Sequence, residues 1–227
     1  MSDVPGEGSA ARDRDAANGA LLAEIARDIA HELRGPVQSI VVNLEVARLR
    51  IRKAAADEAA ERLAVIEQEV MRMHRVADAF VSLLRPDDGP PRPVPLESIL
   101  AGLDPLVTVV ARSAGVHLER ASCDPSLLAH VRAAPASLAV LRLMVDAIAA
   151  AGRDGSVVVS AASDGGAAGL RIVVRAATGR AIDAAALGRR ADLARATWLE
   201  GARGTAAVHA GSDAVDVTVA VRFAPPA

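Results

Sequence analysis

This chain of 227 residues is poor in aromatic residues, cysteine and lysine. The first two shortages limit the composition of its core and the kinds of site that it can form. Aromatic side chains make up 1%, so the core has to be built from Ala, Val, Leu and Ile. The single cysteine, Cys123, excludes an internal disulfide and a four-cysteine zinc site, and we interpret it as a small buried hydrophobe. Lys53 is the only lysine, and nearly all positive charge is arginine. The net charge of −2 gives no support for bulk nucleic-acid binding.

The N-terminus lacks an apolar signal core, and no uninterrupted apolar run reaches the length of a membrane span. Hydrophobic residues nevertheless make up 52% and charged residues 24%, so most of the chain can bury a core. We therefore expect a soluble cytoplasmic protein without a membrane-spanning segment.

Composition and periodicity divide the chain into four parts. Residues 1–17 are rich in Gly, Ser, Asp and Arg without periodicity, and predict a disordered tail. Residues 18–86 have the pattern of two long helices, and residues 87–94 form a proline-rich linker. In residues 95–227, apolar helices alternate with short strands, which predicts a two-layer α/β sandwich.

The two N-terminal helices each carry an apolar stripe. Residues 17–53 repeat apolar side chains at three-and-four spacing, and residues 57–84 follow a heptad pattern. The connection at residues 54–56 is short, so the helices should pack as an antiparallel hairpin. Because one hairpin cannot bury both stripes, we expect two chains to form a four-helix bundle, that is, a homodimer. The alternative is that the hairpin packs on the C-terminal domain of its own chain.

A distinctive cluster of residues interrupts the first helix at residues 31–36. His31 lies off the apolar stripe, at about 100° per residue, and should face outward from the bundle. The adjacent Glu32 could orient the imidazole or accept its proton, and Pro36 should bend the helix one turn further on. The remaining histidines lack this context, and we interpret them as ordinary side chains: His74, His117, His130 and His209.

The order His-Glu-Leu-Arg-Gly-Pro over residues 31–36 resembles the phosphoacceptor box of sensor histidine kinases, written H-E-L-R-[TN]-P. A second helix, a proline-rich linker and an α/β unit follow in the family order, so the resemblance covers roughly residues 18–223. It implies a dimeric hairpin that displays His31, and an α/β domain of the ATPase type. Gly35 stands where the family has Thr or Asn, whose side chain is implied to orient the water that dephosphorylates a partner. Gly35 cannot do this, which argues against phosphatase activity.

The nucleotide-binding elements implied by the resemblance are altered in this chain. The family box N-L-x-x-N-A corresponds to residues 142–147, where Arg142 and Asp146 replace both asparagines. One carboxylate could still hold a metal, but we expect a solvated or capping role for it. The family element D-x-G-x-G corresponds to residues 175–179, where Arg175 replaces the acid and Ala177 replaces a glycine. A cation cannot accept a hydrogen bond from the adenine amine.

The glycine-rich lid and phosphate loop of the family are also missing. The stretch between Ile182 and Trp198 is short, rich in alanine and helical in pattern, with a single glycine. Its arginines, at positions 189, 190 and 195, are expected to form a solvated helix face. The fold class predicted is therefore α+β. An N-terminal antiparallel helical hairpin forms a dimeric four-helix bundle, followed by a degenerate histidine-kinase-ATPase-like α/β sandwich.

This combination resembles the bacterial histidine phosphotransferases that look like kinases, namely the ChpT type of alphaproteobacteria and the sporulation phosphotransferase of bacilli. The resemblance implies a phosphorelay protein that binds no ATP, metal or other cofactor. His31 would take a phosphoryl group from the aspartate of one response-regulator receiver domain and pass it to another. The receiver, which can be part of a hybrid kinase, would supply the Mg²⁺.

The predicted site therefore has two parts. His31 is the phosphoacceptor, with Glu32 orienting or deprotonating it, and the partner-binding residues are Arg34, Gln38 and Val42. Two other functions stay open: an atypical sensor histidine kinase with residual ATP-dependent autophosphorylation, and a non-catalytic regulatory scaffold for receiver domains.

Overall fold

The structure, a computed structural model, describes seven stretches of the chain: residues 7–53, 55–85, 89–121, 123–164, 167–194, 204–210 and 216–223. A helical hairpin is followed by an α/β domain, which confirms the predicted fold class at this level. The hairpin consists of helix α1 (Glu7–Glu32), helix α2 (Arg34–Arg52) and helix α3 (Ala56–Leu83).

Helix α1 begins earlier than the sequence predicted. Residues 7–17 are helical, where a disordered tail was expected, while residues 1–6 lie outside the described residues. The prediction gave weight to Gly, Ser and Asp, but this segment also contains several alanines and arginines, which favour helix. The tail prediction is therefore wrong for residues 7–17.

The first long helix is interrupted at Leu33, between α1 and α2. Two backbone hydrogen bonds bridge the interruption: the Leu33 N–H donates to Ile29 O at 2.9 Å, and the Val37 N–H donates to Leu33 O at 3.1 Å. Pro36 has no N–H to offer the carbonyl of Glu32, and its ring crowds that carbonyl. The interruption thus lies three residues before the proline, directly after His31 and Glu32.

The described residues of the α/β domain form ten elements. They are β1 (Arg92–Pro95), α4 (Leu96–Ala114), β2 (His117–Arg120), β3 (Leu128–Val131), α5 (Ala133–Ala151), β4 (Ser156–Asp164), β5 (Ala167–Arg175), α6 (Ala184–Ala194), β6 (Gly204–Ala210) and β7 (Asp216–Phe223). The connections from β4 to β5, from α6 to β6 and from β6 to β7 fall wholly or partly outside the described residues.

Five strands form one sheet in the order β2-β4-β5-β7-β6, with β2 parallel to β4 and the other pairs antiparallel. Alternate side chains of the central strand β5 are buried, namely Leu170, Ile172 and Val174, while Arg171 between them is exposed. This alternation is typical of a sheet that is covered by helices on one face. The two-layer prediction is confirmed.

Helix α5 is the centre of the domain core. It is long and apolar enough to cross a membrane, which the sequence pattern had not indicated, but 61% of its most apolar window is buried within the fold. Among the described residues it is the one helix with that property. Its apolar face packs on the sheet, as expected of a core helix.

The second half of the predicted linker is a strand. β1 pairs antiparallel with β3, from Arg92 opposite Val131 to Pro95 opposite Leu128. Neither strand was predicted, because both are four residues long and β1 contains two prolines. Proline has an extended backbone and is tolerated on edge strands, which explains how this segment can pair.

The hairpin packs on the α/β domain of its own chain at two places. Leu21 and Ile25 of α1 are 0% exposed and belong to the same core cluster as helices α4 and α5. Val76, Ala79 and Leu83, near the end of α3, join that cluster. The alternative left open by the sequence therefore holds for these ends of the hairpin.

Elsewhere, the apolar stripes of the hairpin are uncovered within the single chain. We call the following exposed residues the hairpin stripe: Val37, Val41, Leu44 and Ile51 of α2, with Leu63, Val70, Ala77 and Leu84 in and after α3. The heptad spacing of the last four puts them on one line along α3.

Replacing Leu21 with Ala tests the packing of α1 on the α/β domain. The substitution should lower the free energy of unfolding by about 2–5 kcal/mol, because it leaves a cavity in a fully buried site. Urea denaturation measures this value.

The matched control is Leu193→Ala on α6, where the side chain is 60% exposed and the expected loss is below about 0.5 kcal/mol. Equal effects of the two substitutions would contradict the packing described here.

Candidate functional site

His31 lies in the last turn of α1, and its side chain is exposed to solvent. Within the described residues, its imidazole makes no hydrogen bond, so the ring is accessible to another molecule. The interruption at Leu33 lies immediately beyond it. An exposed imidazole at a helix break matches the outward position predicted for His31.

The Glu32 carboxylate contacts two arginines. Its Oε1 accepts a hydrogen bond from Arg72 of α3 at 3.0 Å, and Arg112 of α4 approaches the same atom at 3.9 Å. Arg72 also lies 3.7 Å from Glu69. Glu32 thus joins the end of α1 to α3 and α4, and its role in orienting or deprotonating His31 stays a prediction.

The three predicted partner-binding residues follow on α2. Arg34, Gln38 and Val42 are all exposed, and four residues separate each from the next. Residues four apart lie on the same side of a helix, so the structure places these three along one solvent-facing line. They are accessible to a partner, and their role remains a prediction.

A second cluster is centred on Asp146 of α5, which is almost completely buried. Arg142, one turn earlier, donates from Nε to Oδ2 at 2.9 Å and from Nη2 to Oδ1 at 2.5 Å. Arg190 of α6 donates to Oδ1 at 2.6 Å. The carboxylate is therefore bound by two guanidinium groups, and the solvated or capping role predicted for Asp146 is wrong.

Arg142 also connects this cluster to α1, because its Nη1 lies 3.3 Å from Glu24 Oε2. Burial acts to lower the pKa of Arg142, but the hydrogen bonds and charges of Asp146 and Glu24 outweigh it and raise the pKa. His31 follows Glu24 by seven residues, so it lies on the same side of α1, about 10 Å further along. We call Glu24, Arg142, Asp146 and Arg190 the four-residue ion network.

Helix α6 occupies part of the stretch where the resemblance implies a flexible lid. Asp183 precedes it and accepts a hydrogen bond from the Ala186 N–H at 2.8 Å, which caps the helix. A cavity of about 220 Å³ remains between α5 and α6. Arg180 lines it and lies over Gly152, where an added Cβ would come within 1.7 Å of Arg180 Nη1. The cavity is bordered by charged side chains that already have partners or close packing.

The remaining sequence-predicted positions are less distinctive. Arg175 is exposed at the end of β5, and Ala177 follows in the loop before α6. Arg189 is exposed, as expected for a solvated face, while Arg190 is instead part of the four-residue ion network and Arg195 lies outside the described residues. Cys123 is half-buried, and burial together with Glu97 raises its pKa.

Among the residues that the structure describes, no group of three or more His, Cys, Asp or Glu side chains could hold a metal ion. Asp146, the one carboxylate at a position where the resemblance implies a metal ligand, has both of its oxygens hydrogen-bonded to arginine. The donor set present at this position therefore does not fit a divalent cation.

Comparison with known proteins shows a family to which the hairpin is similar. Residues 21–89 match the family model of the His Kinase A (phospho-acceptor) domain, and His31 lies within this span. The helical hairpin is therefore similar to the phosphoacceptor domain of histidine kinases, a class that acts in two-component signal transduction. No curated protein matches the chain.

Several solved structures match most of this chain in backbone fold at low sequence identity. AdeS, a histidine kinase of Acinetobacter baumannii, is 12% identical over 87% of this chain and 98% of its own, with a TM-score of 0.48. A bacterial phosphotransferase is 19% identical over 89% of this chain and 94% of its own, with a TM-score of 0.43. A histidine kinase from Burkholderia phymatum is 17% identical over 89% of this chain and 96% of its own, with a TM-score of 0.44. These TM-scores lie below 0.5, so the assignment of the hairpin rests on the family-model match.

Sequence reasoning did not find the arginines that contact Glu32 and Asp146. Arg72 lies 40 residues from Glu32, and Arg190 lies 44 residues from Asp146. Nothing in the local pattern connects such distant positions. Only Arg142 had a local signal, since it precedes Asp146 by four residues on one helix.

A double-mutant cycle tests the contact between Glu32 and Arg72. The variants Glu32→Gln and Arg72→Gln, singly and together, should give a coupling of about 0.5–1 kcal/mol in urea denaturation, because both side chains are partly shielded from water.

The control cycle uses Arg50 and Glu58, which pair at the same distance of 3.0 Å at the hairpin tip but are more exposed. Their coupling should stay below about 0.5 kcal/mol. Strictly additive effects of the Glu32 and Arg72 substitutions would show that the carboxylate does not use this partner.

Proposed function

We propose that this chain is a phosphorelay histidine phosphotransferase, starting from the match of residues 21–89 to a phosphoacceptor domain. His31 takes a phosphoryl group from the phospho-aspartate of one response-regulator receiver domain and gives it to the aspartate of another. The chain does not use ATP. The observation that carries this proposal is the pairing of Asp146 with Arg142 and Arg190.

Transfer to His31 exchanges one bond to phosphorus for another. An unprotonated ring nitrogen of His31 attacks in line, a nitrogen–phosphorus bond forms, and the bond between phosphorus and the aspartyl oxygen breaks. The electron pair of the broken bond stays on the aspartate, which leaves as a carboxylate. Mg²⁺ held by the receiver neutralises the phosphoryl oxygens, and the reverse steps deliver the group to the second receiver.

The exposure of His31 suits this exchange between proteins. A phosphoacceptor that serves two partners has to be open to each in turn, and the imidazole is free of hydrogen bonds within the described residues. Arg34, Gln38 and Val42 continue the exposed line along α2 and would contact the receiver. Glu32 would act through Arg72 and Arg112, by fixing the end of α1, rather than as a base for His31.

The four-residue ion network supports the absence of ATP use. A nucleotide with Mg²⁺ would need the Asp146 carboxylate, but taking it would remove the partner of Arg190 and leave Arg142 with Glu24 alone. Losing a hydrogen bond to a charged group typically costs about 1.5–3 kcal/mol. Nucleotide binding would have to offset this cost.

The hairpin stripe favours assembly with a second copy of the chain. Its exposed apolar side chains lie along α2 and α3, away from the places where the hairpin meets the α/β domain. Two such stripes facing each other would make a four-helix bundle and remove them from water. A homodimer of this kind is part of the proposal.

The acceptor role is tested by following labelled phosphoryl from a phosphorylated receiver onto the purified chain. His31→Gln should abolish labelling, because no ring nitrogen remains to form the bond. His74→Gln, which alters an exposed histidine of α3, should leave labelling within about twofold of wild type. Labelling of His31→Gln at the wild-type level would reject the assignment.

Calorimetry with Mg-ATP separates this proposal from an atypical kinase. We expect no binding up to millimolar nucleotide and no label transfer from ATP to His31. Micromolar binding together with ATP-dependent labelling would instead establish the kinase.

The dimer is tested by the double substitution Leu63→Glu and Val70→Glu in the hairpin stripe. Four buried charges per dimer should convert the protein to a monomer in sedimentation velocity. The control is Leu193→Glu on the exposed face of α6, which should stay dimeric. A wild-type protein that sediments as a monomer would disprove this part of the proposal.

A further inference from the structure

A cleft of about 400 Å³ lies between α3 and α4 and is lined by three arginines: Arg72, Arg75 and Arg112. Apolar side chains, including Val76 and Val109, form other parts of its lining. We call it the arginine cleft. It brings together one helix of the hairpin and one helix of the α/β domain, so neither domain forms it alone.

Two of the three arginines in this cleft have charge available for a partner. Arg72 is paired with Glu32 and lies near Glu69. Arg75, in contrast, makes no ion pair within the part of the chain that the structure describes. Arg112 reaches Glu32 only at 3.9 Å, and its side chain is 57% exposed.

Two carboxylates, Glu32 and Glu69, already contact Arg72, and two further ones have partners of their own. Asp104, which also lines the cleft, is hydrogen-bonded to Arg120 of β2. Asp78, one turn after Arg75 on α3, lies 3.1 Å from the His74 ring. The lining of the arginine cleft thus carries three guanidinium groups and one carboxylate, that of Asp104, in a chain whose overall charge is −2.

The arginine cleft is joined to the end of α1 through Glu32. Glu32, the residue next to His31, contacts Arg72 and approaches Arg112, so the two arginines meet the end of α1 directly beside His31. A protein whose reactive group reaches His31 therefore comes close to the arginine cleft.

Dimerisation through the hairpin stripe would leave the cleft open. Arg75 and Ala77 are two residues apart on α3, which places their side chains about 160° apart around the helix axis. The stripe residue Ala77 thus points away from the side that carries Arg75.

We propose that the arginine cleft is a docking surface for the acidic face of the receiver domain that exchanges phosphoryl groups with His31. This inference rests on the proposed function. A receiver that holds Mg²⁺ beside its aspartate must surround it with carboxylates, because oxygen anions are the ligands this ion takes. Its reactive face is therefore acidic, and guanidinium groups bind carboxylates with paired hydrogen bonds.

The arginines accelerate the encounter and fix its orientation, while His31 performs the chemistry. Complementary charge raises association rates by tenfold or more at low salt, and this gain is lost when salt screens the charges. The α/β domain thereby takes part in partner selection through Arg112.

The test compares wild type with a double variant, Arg75→Glu and Arg112→Gln, in transfer from a phosphorylated receiver. Glutamine is chosen at position 112 because a glutamate in the last turn of α4 would oppose the helix dipole. The variant should show a decrease in kcat/KM of about tenfold or more at low salt, shrinking towards wild type at about 0.5 M salt.

Arg171→Glu is the matched charge control, because Arg171 is exposed on the sheet face turned away from the core helices. It should transfer at the wild-type rate. Phosphoramidate, a small donor that needs no docking surface, should label His31 equally in wild type and in every variant. In that reaction a nitrogen–phosphorus bond forms on His31 as ammonia leaves.

The outcomes separate docking from the proposed function itself. Wild-type transfer by the double variant would overturn the docking surface and leave the phosphotransferase intact. Loss of phosphoramidate labelling in the double variant would place the arginines in the chemistry of His31 and would overturn docking as well. Failure of wild type to accept label from any receiver would reject the proposed function.

Discussion

The buried carboxylate of Asp146 is the constraint on which much of this structure depends. A carboxylate removed from water is tolerated only when cations and hydrogen bonds replace its hydration. Arg142 supplies two of these hydrogen bonds from the same helix, and Arg190 brings the third from α6. Through Glu24, the same charges reach α1. One buried group therefore ties together the helix that presents His31, the core helix of the α/β domain and the helix that covers it.

Apolar contacts also hold the hairpin against the α/β domain. Leu21 and Ile25 contribute to the core of the α/β domain although they belong to the hairpin, and the end of α3 does likewise. The hairpin and the α/β domain thus share one core, and Glu32 adds a polar contact at the far end of α1. A domain fixed in this way cannot easily swing relative to the histidine. It is suited to forming a permanent surface beside His31.

The sequence predicts the parts of this fold that follow from periodicity. Helices α2 to α5 and the five-stranded sheet have clear apolar patterns, and the proline at position 36 indicates the break near His31. The strands β1 and β3 are too short for a pattern, and the two prolines of β1 disguise its pairing. Helix α1 extends further back than its polar composition suggested. These differences arise where tertiary contacts or weak local preferences decide the conformation.

In the candidate site, too, local features could be predicted from the sequence and tertiary contacts could not. The exposure of His31 could be inferred from its position off the apolar stripe, since that depends only on helical geometry. The partners of Glu32 could not, because Arg72 and Arg112 come from helices whose approach is set by the whole fold. Asp146 shows the strongest contrast: its sequence context suggested solvent, whereas it is buried and bound by Arg190, which lies 44 residues later in the chain.

The scarcity of lysine has a practical consequence at the hairpin tip. Lys53, the one side-chain amine of the chain, follows the last residue of α2 and is exposed. Helix α2, which is about 30 Å long, separates Lys53 from the helix interruption beside His31. Amine-directed dyes or surface chemistry would therefore attach through side chains at a single point. The protein can be tethered or observed from the end of the hairpin opposite to His31.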